Sequence, residues 1–312
     1  MNMIDFEHTH LVSDSTKAQF SDWAFEILGM SKTARAMIEE AYEDGWALTL
    51  SDEPETGFII DLYEDTIILG LEPYVLHSQS AKMQSWYSGL VMLTRALRDV
   101  WQERRHGGFD DMFAPDEILM LSRVRAADID VVSIMVAWEL KNAGENGFWK
   151  YILSSDESGM AETFERTMAT APKYNNAKEK RRAMQTCFTA WFSDEARVSS
   201  ADSKTLEYID SLVADHNSTN KEGSPFGYDK LKPQMIEILS CLPDKTAYLQ
   251  GAGHEVLFDP YFAGLDDEYN QAHYMQIMHD LAAVYVSGIP FRSASLASRI
   301  FPDGICASDG DE

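Results

Sequence analysis

The sequence predicts an α+β protein that is predominantly α-helical, with one small antiparallel meander and a set of long helices. Three observations carry this. Between residues 46 and 71 three short apolar segments are separated by turn residues, as paired strands would be. After Pro73 apolar side chains recur every three or four positions almost to residue 287, which is the helical period. At 45% hydrophobic and 11% aromatic over 312 residues, the chain can bury a substantial core and is not disordered.

Along the chain, Phe20, Trp23, Ala24, Ile27 and Leu28 share one face of a first helix over 15–30. Ser31 can cap a second, whose buried side is Ala34, Met37, Ile38, Ala41 and Tyr42, and Gly45 sits where a glycine ends a helix. The strands follow at 46–50, 57–63 and 66–71, the last two joined by a turn at Glu64-Asp65. Residues 79–105 read as a long amphipathic helix stopped by Gly107-Gly108. Pro115 opens another, in which 131–138 (VVSIMVAW) is apolar nearly all round, so it is the central buried helix, and Gly144 ends it. Shorter helices fit 147–154, 158–170, 175–192, 201–215, 231–240 and 267–287. The organisation expected is a core over 1–216, a loop or linker at 217–227 (NSTNKEGSPFG), a helical C-terminal part over 228–306 and a frayed tail at 307–312.

Charge narrows the partners. With 26 Lys+Arg against 51 Asp+Glu the net charge is −25, which argues against nucleic acid and against anionic membrane surfaces. No apolar stretch approaches the roughly 20 residues of a membrane span, and the N-terminus lacks the features of a signal peptide. Cys187, Cys241 and Cys306 have no metal-site spacing and read as reduced thiols, so the expected compartment is the cytoplasm. Oligomeric state is not legible.

Motifs for chemistry are mostly missing. No phosphate-binding glycine loop and no nucleophile elbow occurs. Of the eight histidines, His254-Glu255 is the sole start of an H-E-x-x-H, but Phe258 stands at its second histidine position and flanking glycines suggest a loop. His8 and His10 read as surface residues, and His273 and His279 fall on different sides of one helix. The run 178–182 (KEKRR) is a solvated helix face or a docking site for an acidic partner.

One stretch resembles something known. Residues 93–102 (LTRALRDVWQ) are similar to the motif helix of a bacterial family of unknown function described as candidate metallopeptidases, which reads approximately HELRHAWQ. Residues 136–144 (VAWELKNAG), 148–153 (FWKYIL) and 190–197 (AWFSDEAR) add to the likeness, which covers roughly 45–250. The resemblance implies a zincin-like core. Arg98, Trp101 and Gln102 match, whereas Arg95 and Asp99 stand at the two histidine positions and Ala96 at the catalytic glutamate. In the next helix Asp128 is retained and Ala126 replaces a third ligand.

The resemblance therefore implies a catalytically degenerate protein with no catalytic residues and no cofactor, acting by binding a protein or peptide segment. Arg95, Arg98, Asp99, Gln102 and Asp128 would lie near the floor of a groove between meander and motif helix, and Arg95 and Asp99, a turn apart, would pair. The alternatives are an active zinc hydrolase using Asp99, Glu103 and Asp128 with His106, and an acidic helical interaction protein unrelated to peptidases.

Overall fold

The computed structural model describes residues 14–51, 57–71, 79–107, 112–170, 177–218, 224–282, 284–286 and 289–291. Helix α1 (Asp14–Leu28) buries Phe20, Ala24 and Leu28. Helix α2 (Lys32–Glu43) starts at Ser31, whose hydroxyl accepts from the Ala34 amide at 3.1 Å, and ends before Gly45 at φ +87°.

The strands are β1 (Ala47–Ser51), β2 (Phe58–Asp61) and β3 (Thr66–Gly70), and here the expected meander needs correction. Their order is β1-β3-β2, with β1 parallel to β3 and β2 antiparallel to it, so the sheet is mixed. The physical reason lies in β3, whose Ile67 and Leu69 are 3% and 0% exposed. The most apolar strand takes the centre, where both its edges are hydrogen-bonded. The expected β2–β3 turn forms, and Asp61 Oδ1 accepts from the amides of Tyr63 and Glu64.

The sheet packs against α3 (Gln79–His106), the helix that carries the family-like motif. Helix α1 crosses α3 at Gly89, where a Cβ would stand 2.8 Å from Phe20 Cζ. Helix α4 (Pro115–Ala143) runs through the middle and stops at Gly144 with φ +108°. From Val131 to Ala137 no residue exceeds 2% exposure, as its unbroken apolar pattern requires.

Around α4 pack α5 (Asn146–Ile152), α6 (Ser158–Ala169), α7 (Ala177–Phe192) and α8 (Glu195–Ser218). Then come α9 (Pro233–Leu239), α10 (Gly253–Phe258), α11 (Pro260–Ala263), α12 (Glu268–Ala282) and a hairpin of β4 (Val284–Val286) and β5 (Ile289–Phe291). Three expectations change. The last helix stops at Ala282 and a hairpin follows, α8 begins at Glu195, and His254-Glu255 lies on α10 instead of a loop. The C-terminal part joins the same core, since α9 packs on α4 and α12 on α8. The pair His8/His10, Cys306 and the 307–312 tail lie outside the described residues, as does part of the 217–227 loop.

Candidate functional site

Helix α3 sends Arg95, Arg98, Asp99 and Gln102 toward α4, where a run of polar residues interrupts its apolar surface. The buried centre is Arg98. Its Nε donates to Asp128 Oδ2 at 2.6 Å, and Gln102 Nε2 donates to the same oxygen at 2.5 Å. Arg98 Nη2 donates to the carbonyls of Leu239 and Cys241 at 3.1 and 2.8 Å, and the guanidinium lies 4.2 Å from the Trp101 ring centre. Arg98, Gln102 and Asp128 are each 0% exposed. Burial pushes the Asp128 carboxyl upward, opposed by the Arg98 guanidinium and by the hydrogen bonds it accepts.

One turn earlier, Arg95 joins a second network. Its Nε lies 2.8 Å from Asp130 and its Nη2 2.7 Å from Glu157. Asp130 also accepts from Arg197 Nη1 at 2.7 Å and from the Trp191 indole at 2.9 Å. Burial alone would raise the Glu157 carboxyl, but Arg95 and the Ser155 hydroxyl hold it below its ordinary value. Asp99, the expected partner of Arg95, faces Arg125 instead at 3.8 Å, and Arg125 binds Glu103 at 2.6 Å. Burial raises the Asp99 carboxyl against the pull of Arg125.

The expected groove beside the sheet is thus corrected for three of its five residues. Arg98, Gln102 and Asp128 are closed over by α4 and by the chain after α9, so no solute reaches them in this conformation. Arg95 and Asp99 are partly exposed but do not pair with each other. The i,i+4 spacing permits that pair; two carboxylates from other elements offer Arg95 a better-satisfied, less hydrated site.

Sequence reasoning missed Asp130, Glu157 and Arg197, and also Tyr248, a buried tyrosine whose hydroxyl neighbours Asp128. A signal for Asp130 existed: a carboxylate within the most apolar helix of a chain must find a cation or a donor. Its partners, on segments far away in sequence, left no local trace.

The resemblance implies zinc, and the donor set decides whether zinc fits. Asp128 Oδ1 and Gln102 Oε1 are buried without a well-aligned hydrogen bond, with the Tyr248 hydroxyl beside Asp128. Two oxygens fall short of a zinc ligand set, and the guanidinium beside them already supplies the countercharge. Among the described residues no group of three or more His, Cys, Asp or Glu side chains could hold a metal ion. The set of Asp99, Glu103, Asp128 and His106 does not form a centre, because Arg125 takes the first two and Arg98 the third. His106 is 7% exposed, and burial with the charges of Arg125, Arg98 and Arg105 depresses its pKa to about 4. The residues present do not fit the metal.

Elsewhere, Arg123 holds Asp202 through two hydrogen bonds of 2.6 and 2.8 Å and donates to the Phe262 carbonyl at 3.1 Å. This pair lies beneath a cavity of about 500 Å³ framed by Phe192, Tyr261 and Phe262. The 178–182 run is tied down in part, since Lys180 pairs with Glu139 at 2.8 Å. Burial pushes the Cys187 thiol far up, so it is no nucleophile. Among the described residues no helix is long and apolar enough to cross a membrane.

Neither a curated protein nor a solved structure matches the chain. A family model does: residues 76–250, from the start of α3 to just before α10, match the one described as "Putative metallopeptidase family (DUF6782)". More than half of the chain is covered, and the motif helix, the central helix and the 190–197 block all fall within it. The chain belongs to that family.

Proposed function

We propose that this chain is a catalytically degenerate member of its family that acts in the cytoplasm by binding a protein or peptide segment. One observation supports the reading above the rest. Where the resemblance calls for an imidazole-ligated cation, Arg95 is ion-paired with Asp130 and Glu157, and Arg98 with Asp128. A fixed guanidinium neutralises each carboxylate, and a divalent ion added beside it would face like charge. The general-base position is Ala96, a fully buried methyl group that cannot move a proton.

Metal content and proteolysis test this together. Protein purified without chelator should hold far less than one equivalent of zinc by elemental analysis. It should also leave a peptide library uncut with and without added zinc. About one equivalent of zinc, lost in Asp128→Asn or Asp99→Asn, would overturn the reading.

A further inference from the structure

The cavity between α8 and α12 has walls unlike those of the motif region. Phe192 ends α7; Glu195, Val198, Ser199 and Asp202 come from the first turns of α8; Tyr261 and Phe262 come from α11. Gly264 and residues 266–269 close the far side. Phe262 meets Phe192 at 5.0 Å and 86°, and Tyr261 at 5.0 Å and 85°, so the three rings pack edge to face into a box-like wall in which Tyr261 is half-exposed and Phe192 and Phe262 are mostly buried. The box is fixed: the Tyr261 hydroxyl donates to the Thr189 carbonyl at 3.1 Å and lies 2.8 Å from Ser193 Oγ.

Around the box stand Glu195, Asp202, Asp266, Asp267 and Glu268, and no basic side chain lines it. Asp202 is neutralised from behind by Arg123. Among the described residues none of the other four carboxylates is salt-bridged to a Lys or Arg. Of the neighbouring cavities, the one across the 259–265 segment is lined by Arg123 and Lys230 and the one at the α6–α7 ends by Arg197, whereas the one on the other side of Phe262 carries a single carboxylate, Glu255, and no basic residue. Burial raises the Asp202 carboxyl, Arg123 opposes this, and Asp267 and Asp266 push it further up, as a negative local potential requires.

Aromatic faces and unpaired carboxylates together attract a cation that can also stack. A metal ion gains nothing from the rings, whereas a planar guanidinium uses both faces and carboxylates. A volume of about 500 Å³ suits a side chain and its flanking main chain. Tyr261 and Tyr269, 48% and 87% exposed, stand at the mouth where that main chain would pass. Residues 261–269 lie beyond the family match, whereas Phe192, Glu195, Val198, Ser199 and Asp202 lie within it, so the cavity forms where the family-like part meets the chain's C-terminal part.

We propose that the cavity framed by Phe192, Tyr261 and Phe262 binds the guanidinium of an arginine in a partner protein segment, with Asp266 and Glu268 at its mouth. This rests on the binding reading above and gives it a location. Calorimetric titration of the whole chain with acetyl-Gly-Arg-Gly-amide tests it, with the citrulline peptide as neutral isostere and spermidine as a free cation. The arginine peptide should bind at least about tenfold tighter than the citrulline peptide. Asp266→Asn with Glu268→Gln, with the melting temperature unchanged, and separately Tyr261→Ala should each weaken it about fivefold or more. Equal binding of the citrulline peptide, tighter binding of spermidine, or binding indifferent to all three substitutions would overturn it. If the arginine peptide fails while the protein remains free of zinc and of peptidase activity, this inference falls and the broader reading stands.

Discussion

Arg98 and Arg95 leave the same helix one turn apart and meet opposite surroundings. Arg98 and Asp128 are sealed from water, with side-chain exposures of 0% each; two main-chain carbonyls take up Nη2, and Nη1 is buried without a hydrogen-bond partner. Arg95 holds two carboxylates and shares one of them, Asp130, with Arg197, and the side chains of this group keep between 12% and 23% of their surface in water. The sealed pair has no solvent to fall back on when one member is removed; the open group has solvent and a second cation. The same residue type on the same helix is therefore a structural requirement in one place and a tunable contact in the other.

The largest effect should come from splitting the sealed pair. Asp128→Ala leaves a buried guanidinium uncompensated and should cost about 3–5 kcal/mol in urea unfolding. Arg98→Met combined with Asp128→Leu should recover most of that, because an apolar pair of similar volume has no charge to desolvate. A single variant costing less than about 1 kcal/mol would abolish the distinction drawn between the two networks.

Next is His106, at the end of the same helix, held neutral by burial and by the cations around it, Arg98 among them. Its folded pKa of about 4 lies below the ordinary 6.5, so the unfolded chain binds more protons in between. Stability is then highest above pH 6.5 and falls as pH drops toward 4, with a slope of at most about 1.4 kcal/mol for each pH step of one. His106→Gln should flatten this limb of the stability–pH curve; an unaltered limb would show that other groups produce it.

A smaller change is expected from Arg95→Met, about 1 kcal/mol, because Arg197 still neutralises Asp130. A double-mutant cycle with Glu157→Gln should return a coupling of about 0.5–1 kcal/mol; a coupling as large as that of Arg98 with Asp128 would erase the contrast. The smallest effect belongs to Asp99→Asn, within about 0.5 kcal/mol, since Arg125 keeps Glu103 as its nearer partner.

Much of the fold was legible because it obeys local rules. Ser31, Gly45, Gly107, Pro115 and Gly144 all bound helices as their backbone chemistry predicts, and the apolar run at 131–138 is buried up to Ala137, with Trp138 partly exposed. Strand order was not, because adjacency in a sheet is decided by which strand is buried most, and β3 outcompetes its neighbours only in three dimensions. The β4–β5 hairpin was lost inside an apolar run too short to separate strand from helix.

The site divides the same way. Helical spacing correctly places Arg95, Arg98, Asp99 and Gln102 along one side of α3. It is silent on Glu157, Arg197 and the carbonyls of Leu239 and Cys241, which settle what each of those groups does. The C-terminal acidic box was invisible for a related reason: Phe192 and Phe262 become neighbours only through the return of α11 onto α7 and α8.

The carbonyls that Arg98 binds lie 141 and 143 positions further along the chain. During synthesis, α3 and α4 are complete long before residues 239–241 emerge from the ribosome. Until they do, the Nη2 donors of the guanidinium must stay hydrated, and the helix pair cannot close over it. Closing a loop of that length costs little more than closing a shorter one, about 0.6 kcal/mol for each doubling. The delay is one of waiting, not of energy. The final locking of the motif helix is thereby tied to arrival of the C-terminal part, and chains released before residue 239 should be open at this seam and exposed to proteases.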